Sequence, residues 1–259
     1  MTRRPSRPAR FLAPALAATV LLTCAACSGD DKDAGASAIG ASPLAADSPT
    51  ASAPAALTEA GARRALITET DLEDDWTRVE DAATWRDSLL IGKVDVADFL
   101  TAKADAADCQ KLLDGLYSEE LLGKPFGASA LTGFEEEDSR LLYQVGAYRQ
   151  PGLDASLAWL KSLPTKCDQF IAIDSAGDRR TVQVTETSLP DEGDAREGLR
   201  VTVQGTSGGN PATLTLDVAA VRVGTNAITV TAGGLDGVQD DTVKDAVSAG
   251  TKRLDDVLS

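Results

Sequence analysis

The chain contains no histidine. That removes the commonest general base and metal ligand, and with it every Ser-His-Asp and Cys-His arrangement. Aromatic residues make up only 4%, so a core has to be built mostly from Val, Leu, Ile and Ala. Past the first 30 residues the only cysteines are Cys109 and Cys167. Two thiols without histidine argue against a zinc site. The apolar stretch from Phe11 to Thr23 has 13 residues, too few for a permanent membrane span. Phosphate loop, G-x-S-x-G elbow, S-x-x-K pair and dinucleotide fingerprint are all missing. Acid pairs occur everywhere in so acidic a chain, and none is singled out as a glycosidase dyad. The expectation is a protein that is not an enzyme and uses neither metal nor cofactor. A cluster of buried acids with shifted pKa in a pocket would instead point to a cryptic hydrolase.

What is present is acid. The 259 residues hold 40 acids against 25 bases, a net charge of −15. Four of the bases (Arg3, Arg4, Arg7, Arg10) precede Cys27 and no acid does, so the chain from Cys27 onward holds 21 bases against 40 acids, or −19. Such a surface repels phosphate backbones and anionic headgroups. No nucleic acid partner is expected, and membrane contact requires an anchor. Hydrophobic residues reach 43%, enough for most of the chain to fold around a core.

The N-terminus offers that anchor. Residues 2–10 are basic, Phe11–Thr23 is apolar, and Leu21-Leu22-Thr23-Cys24-Ala25-Ala26-Cys27-Ser28 follows. Basic, apolar and small-residue regions in that order read as a signal peptide, and its end resembles a lipobox. Cys27 is the expected lipid attachment site. Cys24 stands where Leu is usual; taking Cys24 as the lipid site restores Leu21 at that position but puts Thr23 directly before the cleavage. The plainer reading is a secretory signal with a free Cys27, an exposed thiol that an exported protein would carry as a liability. Arg3-Arg4 begins a twin-arginine motif that Pro5-Ser6 does not complete. From Ser28 to Ala56 the chain is mostly Ala, Ser, Pro, Gly and Asp, without apolar periodicity. A coil of that kind reaches roughly 30 Å. The expected organisation is a signal peptide over 1–26, a tether over 27–56 and one α+β domain over 57–259. It places the protein at the outer face of the cytoplasmic membrane, held by lipid.

Within 57–259, Thr58 caps a short helix, and Thr70–Trp76 forms a helical turn. Residues 86–105 carry no clear period. Asp105–Leu116 reads as a helix with Cys109, Leu112, Leu113 and Leu116 on one face. Lys124-Pro125-Phe126-Gly127 reads as a breaker. Strands over Ala128–Phe134 and Leu141–Tyr148 flank the acidic turn Glu135–Asp138, and a helix runs from Leu153 to Leu163, where Pro164 interrupts it. Alternating strands follow around Val182, Leu199–Val203, Leu214–Val223 and Ile228–Val230, with turns at Gly208-Gly209 and Gly224-Thr225. Their period of two predicts an antiparallel sheet with one buried and one wet face. A C-terminal amphipathic helix from Gln239 to Leu258 packs on that sheet. Cys109 and Cys167, an even pair in an exported chain, read as a disulfide; the other reading is two buried free thiols. Trp76 and Trp85 are read as core anchors or as pocket walls.

A family likeness rests on a strand ending in Tyr148, a helix with Trp159 leading to Cys167, the stretches Leu199-Arg200-Val201-Thr202-Val203 and Val221-Arg222-Val223-Gly224-Thr225-Asn226, then Ile228-Thr229-Val230 and the final helix. These resemble the PknH-like extracytoplasmic sensor domain of actinobacterial kinases and lipoproteins over about residues 57–259. The resemblance implies an antiparallel sheet with helices packed on it and a cleft that takes a ligand. Two disulfides are common in that family, and one is possible here. It further implies a stand-alone lipoprotein whose domain binds an unknown small ligand or an envelope protein, with Trp76, Trp85 and Tyr148 as candidate ligand contacts. The alternative is an interaction module of an envelope complex without any small ligand.

Overall fold

A computed structural model describes residues 56–72, 75–91, 94–235 and 241–259. The expected signal peptide, Cys24, Cys27 and the expected tether up to residue 55 lie outside the described residues. In chain order the elements are α1 (Glu59–Arg64), β1 (Thr77–Val79), β2 (Leu90–Ile91), β3 (Val94–Asp95), α2 (Ala97–Leu100), β4 (Lys103–Ala104), α3 (Ala107–Gly115), β5 (Ser129–Glu136), β6 (Ser139–Ala147), α4 (Gln150–Lys166), β7 (Gln169–Ile173), β8 (Arg179–Glu186), β9 (Ala195–Ser207), β10 (Asn210–Val223), β11 (Asn226–Gly234) and α5 (Thr242–Leu258). Nine strands form one antiparallel sheet in the order β1-β5-β6-β11-β10-β9-β8-β7-β4. This is an α+β fold. Among the described residues no helix is long and apolar enough to cross a membrane.

Local chemistry sets the boundaries. Thr58 caps α1 by accepting the Gly61 N–H at 3.0 Å. Gly208 and Gly209, at φ of +57° and +81°, join β9 to β10. Two successive positive-φ residues match the twist of a two-residue hairpin, and glycine adopts them without strain. In α3 Cys109, Leu112 and Leu113 turn inward, as does Leu116 at its C-cap, as their spacing requires.

Three features differ from the sequence expectation. Helix α4 runs through Pro164 to Lys166. The ring removes one helical hydrogen bond, but it sits in the last turn, which closes with the Cys167 N–H on the Leu163 carbonyl at 2.7 Å. Second, β7 is a full strand around Phe170. Third, the sheet does not have one wet face. Helix α4 packs on β8 and β9 with α3 beside it, while α5 packs on β10 and β11 across the opposite face and is joined there by α1. Strand β11 is buried along its whole length. The alternation survives in β8, where Val182 and Val184 are buried and Gln183 and Thr185 exposed.

The α3–α4 layer is stapled. Cys109 and Cys167 form a disulfide between sites 58 residues apart, with 5.7 Å between Cα atoms. A loop of that size contributes about 4 kcal/mol in the chain-entropy account.

Candidate functional site

The three sequence candidates do not converge. Trp85 is packed under the α3–α4 layer, where its ring meets Tyr117 edge-on at 5.7 Å. Trp76 is packed in the core of the opposite face. Each is 5% exposed, so both serve as core anchors. Tyr148 alone reaches a cleft.

That cleft forms where β6 ends. The Phe126 and Gly127 N–H groups both donate to the Ala147 carbonyl, at 2.9 and 3.3 Å, which fastens the loop Leu122–Phe126 to the strand end. The Tyr148 N–H donates to the Thr225 carbonyl at 2.9 Å, fixing the same point to the β10–β11 turn. Pro151 at the second helical position starts α4 at once. The Ser156 hydroxyl then ties that helix back to the loop, donating to the Leu122 carbonyl at 3.0 Å. Between loop and helix lies a cleft of about 430 Å³, within the size range of small-molecule sites.

Its walls are Leu122, Pro125, Phe126 and Leu153, and its polar groups are Lys124, Arg149 and Tyr148. Phe126 is 64% exposed, and the Arg149 guanidinium lies over its ring at 3.6 Å from the centroid. Tyr148 is 7% exposed, and its hydroxyl has no hydrogen-bond partner among the described residues. Burial raises its pKa, so the phenol stays protonated and able to donate.

A second cleft of about 300 Å³ opens on the other face beside Val243 and Lys244. There the polar groups answer one another: Arg200 grips Asp217 with Nε–Oδ1 at 2.7 Å and a second bond at 2.8 Å. Among the described residues no group of three or more Cys, Asp or Glu side chains is placed to hold a metal ion.

Sequence reasoning found Tyr148 but missed Lys124, Phe126 and Arg149. The available signal was an aromatic inside a Pro-Phe-Gly breaker and a cation at the strand-to-helix junction Tyr148-Arg149-Gln150-Pro151.

No family model matches the chain, and no curated protein matches it. A solved structure of an uncharacterized protein from Mycobacterium smegmatis (Rv0999 ortholog) is similar at 18% identity, over 74% of this chain and 93% of that one, with a TM-score of 0.37.

Proposed function

We propose that this protein is a lipoprotein held through Cys27 at the outer face of the cytoplasmic membrane, with a PknH-like sensor domain that binds a small extracytoplasmic ligand without transforming it. The observation that carries the binding part is the Tyr148 cleft, where apolar walls surround Lys124, Arg149 and the Tyr148 hydroxyl, none of which has an ion pair or hydrogen-bond partner among the described residues. The resemblance drawn from the sequence supports the sensor assignment, and the lipobox-like stretch supports the anchor.

Native mass spectrometry of the protein purified from its own envelope tests the binding. Gly152 lines the cleft, and a Cβ built there meets no atom within 4 Å, so Gly152→Trp fills the cleft without crowding the fold. The wild type is expected to carry a small-molecule adduct that Gly152→Trp loses. An empty wild type, or an adduct that survives the substitution, would overturn the reading. The anchor is tested separately with a labelled lipid precursor, which should mark the wild type but not Cys27→Ala. Label retained on Cys24 would overturn the choice of Cys27.

The exposure of Phe126 favours a second reading, in which this end of the domain docks on an envelope protein. An adduct of protein mass, in place of a small one, would select it.

A further inference from the structure

We infer that the ligand of the Tyr148 cleft carries a carboxylate or phosphate group on an apolar body, an inference that rests on the ligand-binding reading above. Charge is the first ground. Lys124 and Arg149 both line the cleft, and no acid stands among its described lining residues, in a chain whose net charge is −15. Neither cation forms an ion pair among the described residues. The nearby acid Asp154 is held by Arg222 at 2.5 Å. The Arg149 guanidinium sits over Phe126 at 3.6 Å from the centroid, and its N–H groups make no ion pair among the described residues, so they can meet an anion.

Position is the second ground. Arg149 is the N-cap residue of the 17-residue helix α4, makes no capping bond with its side chain, and no acid follows in the first turn. A cation at the positive end of a helix dipole is unfavourable, and a bound anion would relieve it. The helix supplies field more than donors here: the Gly152 and Leu153 N–H groups already donate to the Arg149 carbonyl at 3.0 Å, and Pro151 has none.

The third ground is independent of charge. The Tyr148 side chain is 7% exposed and lines the cleft, and its hydroxyl is a donor without a partner among the described residues. An anionic oxygen in the cleft would accept from it in a charge-assisted hydrogen bond. Pro125, Phe126 and Leu153 then require an apolar body beside that oxygen.

The test uses the full chain in neutral detergent and four probes: phenyl phosphate, phenylacetate, the neutral 2-phenylethanol and inorganic phosphate. Binding is read by saturation-transfer NMR and titration, with Gly152→Trp as the blocked control. At least one aromatic anion is expected to bind at least tenfold more tightly than either 2-phenylethanol or inorganic phosphate. The tighter of the two aromatic anions identifies the head group. Lys124→Ala/Arg149→Ala should weaken that anion at least tenfold, and Tyr148→Phe about fivefold. Equal binding of 2-phenylethanol, lost in Gly152→Trp, would overturn the anionic assignment and leave the ligand-binding reading standing. An aromatic anion whose affinity survives the double substitution would do the same. Absence of any signal that Gly152→Trp removes would overturn both.

Discussion

The two helical layers close the same sheet by different means. On one face α3 and α4 are joined by the Cys109–Cys167 bond, and the charged pair Arg180–Asp174 is buried beside them with 5% and 6% side-chain exposure. The Arg180 guanidinium also lies over Phe99 at 4.2 Å. On the other face α5 and α1 are held mainly by apolar packing and close approach, with the Arg253–Asp71 ion pair at the edge. Gly250 of α5 faces the Tyr143 ring, and the Tyr143 hydroxyl donates to the Ala65 carbonyl at 3.1 Å. The stapled layer is the one that carries the cleft. A covalent staple lets the far end of α4 begin with a poorly suited cap such as Arg149, because the helix does not depend on that end for its place. The packed layer has no such reserve, and its contacts are correspondingly tight.

Cutting the staple should give the largest effect. Cys109→Ser/Cys167→Ser is expected to lose about 4 kcal/mol, read as a shift of the urea midpoint and reproduced by reductant on the wild type. A loss below about 1 kcal/mol would mean that both layers are held by packing alone, and the contrast would fall.

Next is the buried pair. Asp174→Asn should cost about 3 kcal/mol, because Arg180 is left charged and buried. Burial pushes the Asp174 carboxyl up, but the Asp178 and Ala176 N–H groups and the Arg180 guanidinium outweigh it and hold it below the ordinary aspartate range. A folded pKa below the unfolded one gives stability that is present above the ordinary aspartate pKa and lost as pH falls through the lower folded value. Acid titration of the wild type should therefore show a loss below about pH 4 that Asp174→Asn makes smaller. Asp71, bonded to Thr68 and paired with Arg253 at the edge of the other layer, is shifted the same way, but it is more exposed and should contribute less.

The packed layer is probed at Gly250. A Cβ there meets the Tyr143 hydroxyl at 2.5 Å and its ring at 2.6 Å. Gly250→Leu should lift α5 and cost about 2 kcal/mol, while probe binding at the Tyr148 cleft on the other side stays unchanged. A loss of binding would show that the two layers are coupled through the sheet.

The contrast between layers was only partly legible in the sequence. Period-two strands, glycine turns and the inward face of α3 are local patterns, and each appears where the pattern puts it. Burial of β11 on both faces depends on where α5 comes to rest, and alternation along one strand cannot report that. Pro164 looked like a stop because a helix interior does not tolerate proline, yet its place in a last turn is decided by where Cys167 must be. The cleft was the least legible part. It joins residues 122–126 to 148–156 through the Ala147 carbonyl, a long-range bond with no sequence signature. Trp76, Trp85 and Tyr148 looked alike as scarce aromatics, because exposure is a tertiary property.

The chain's three tyrosines turn that last point into the smallest prediction. Tyr117 donates to the Arg140 carbonyl at 2.8 Å and shares the Gly233 carbonyl at 3.2 Å; Tyr143 donates to Ala65. Removing either hydroxyl leaves a buried carbonyl unanswered, so Tyr117→Phe and Tyr143→Phe should each cost about 1–2 kcal/mol. Tyr148 has no such carbonyl to abandon. Tyr148→Phe should leave stability within about 0.5 kcal/mol of wild type, and the substitution should register only in binding of an anionic probe. A loss in Tyr148→Phe as large as in its two counterparts would mean that its hydroxyl already has a structural partner. In that case the donor would not be free for a ligand, and the distinction between the cleft and the two cores would rest on charge alone.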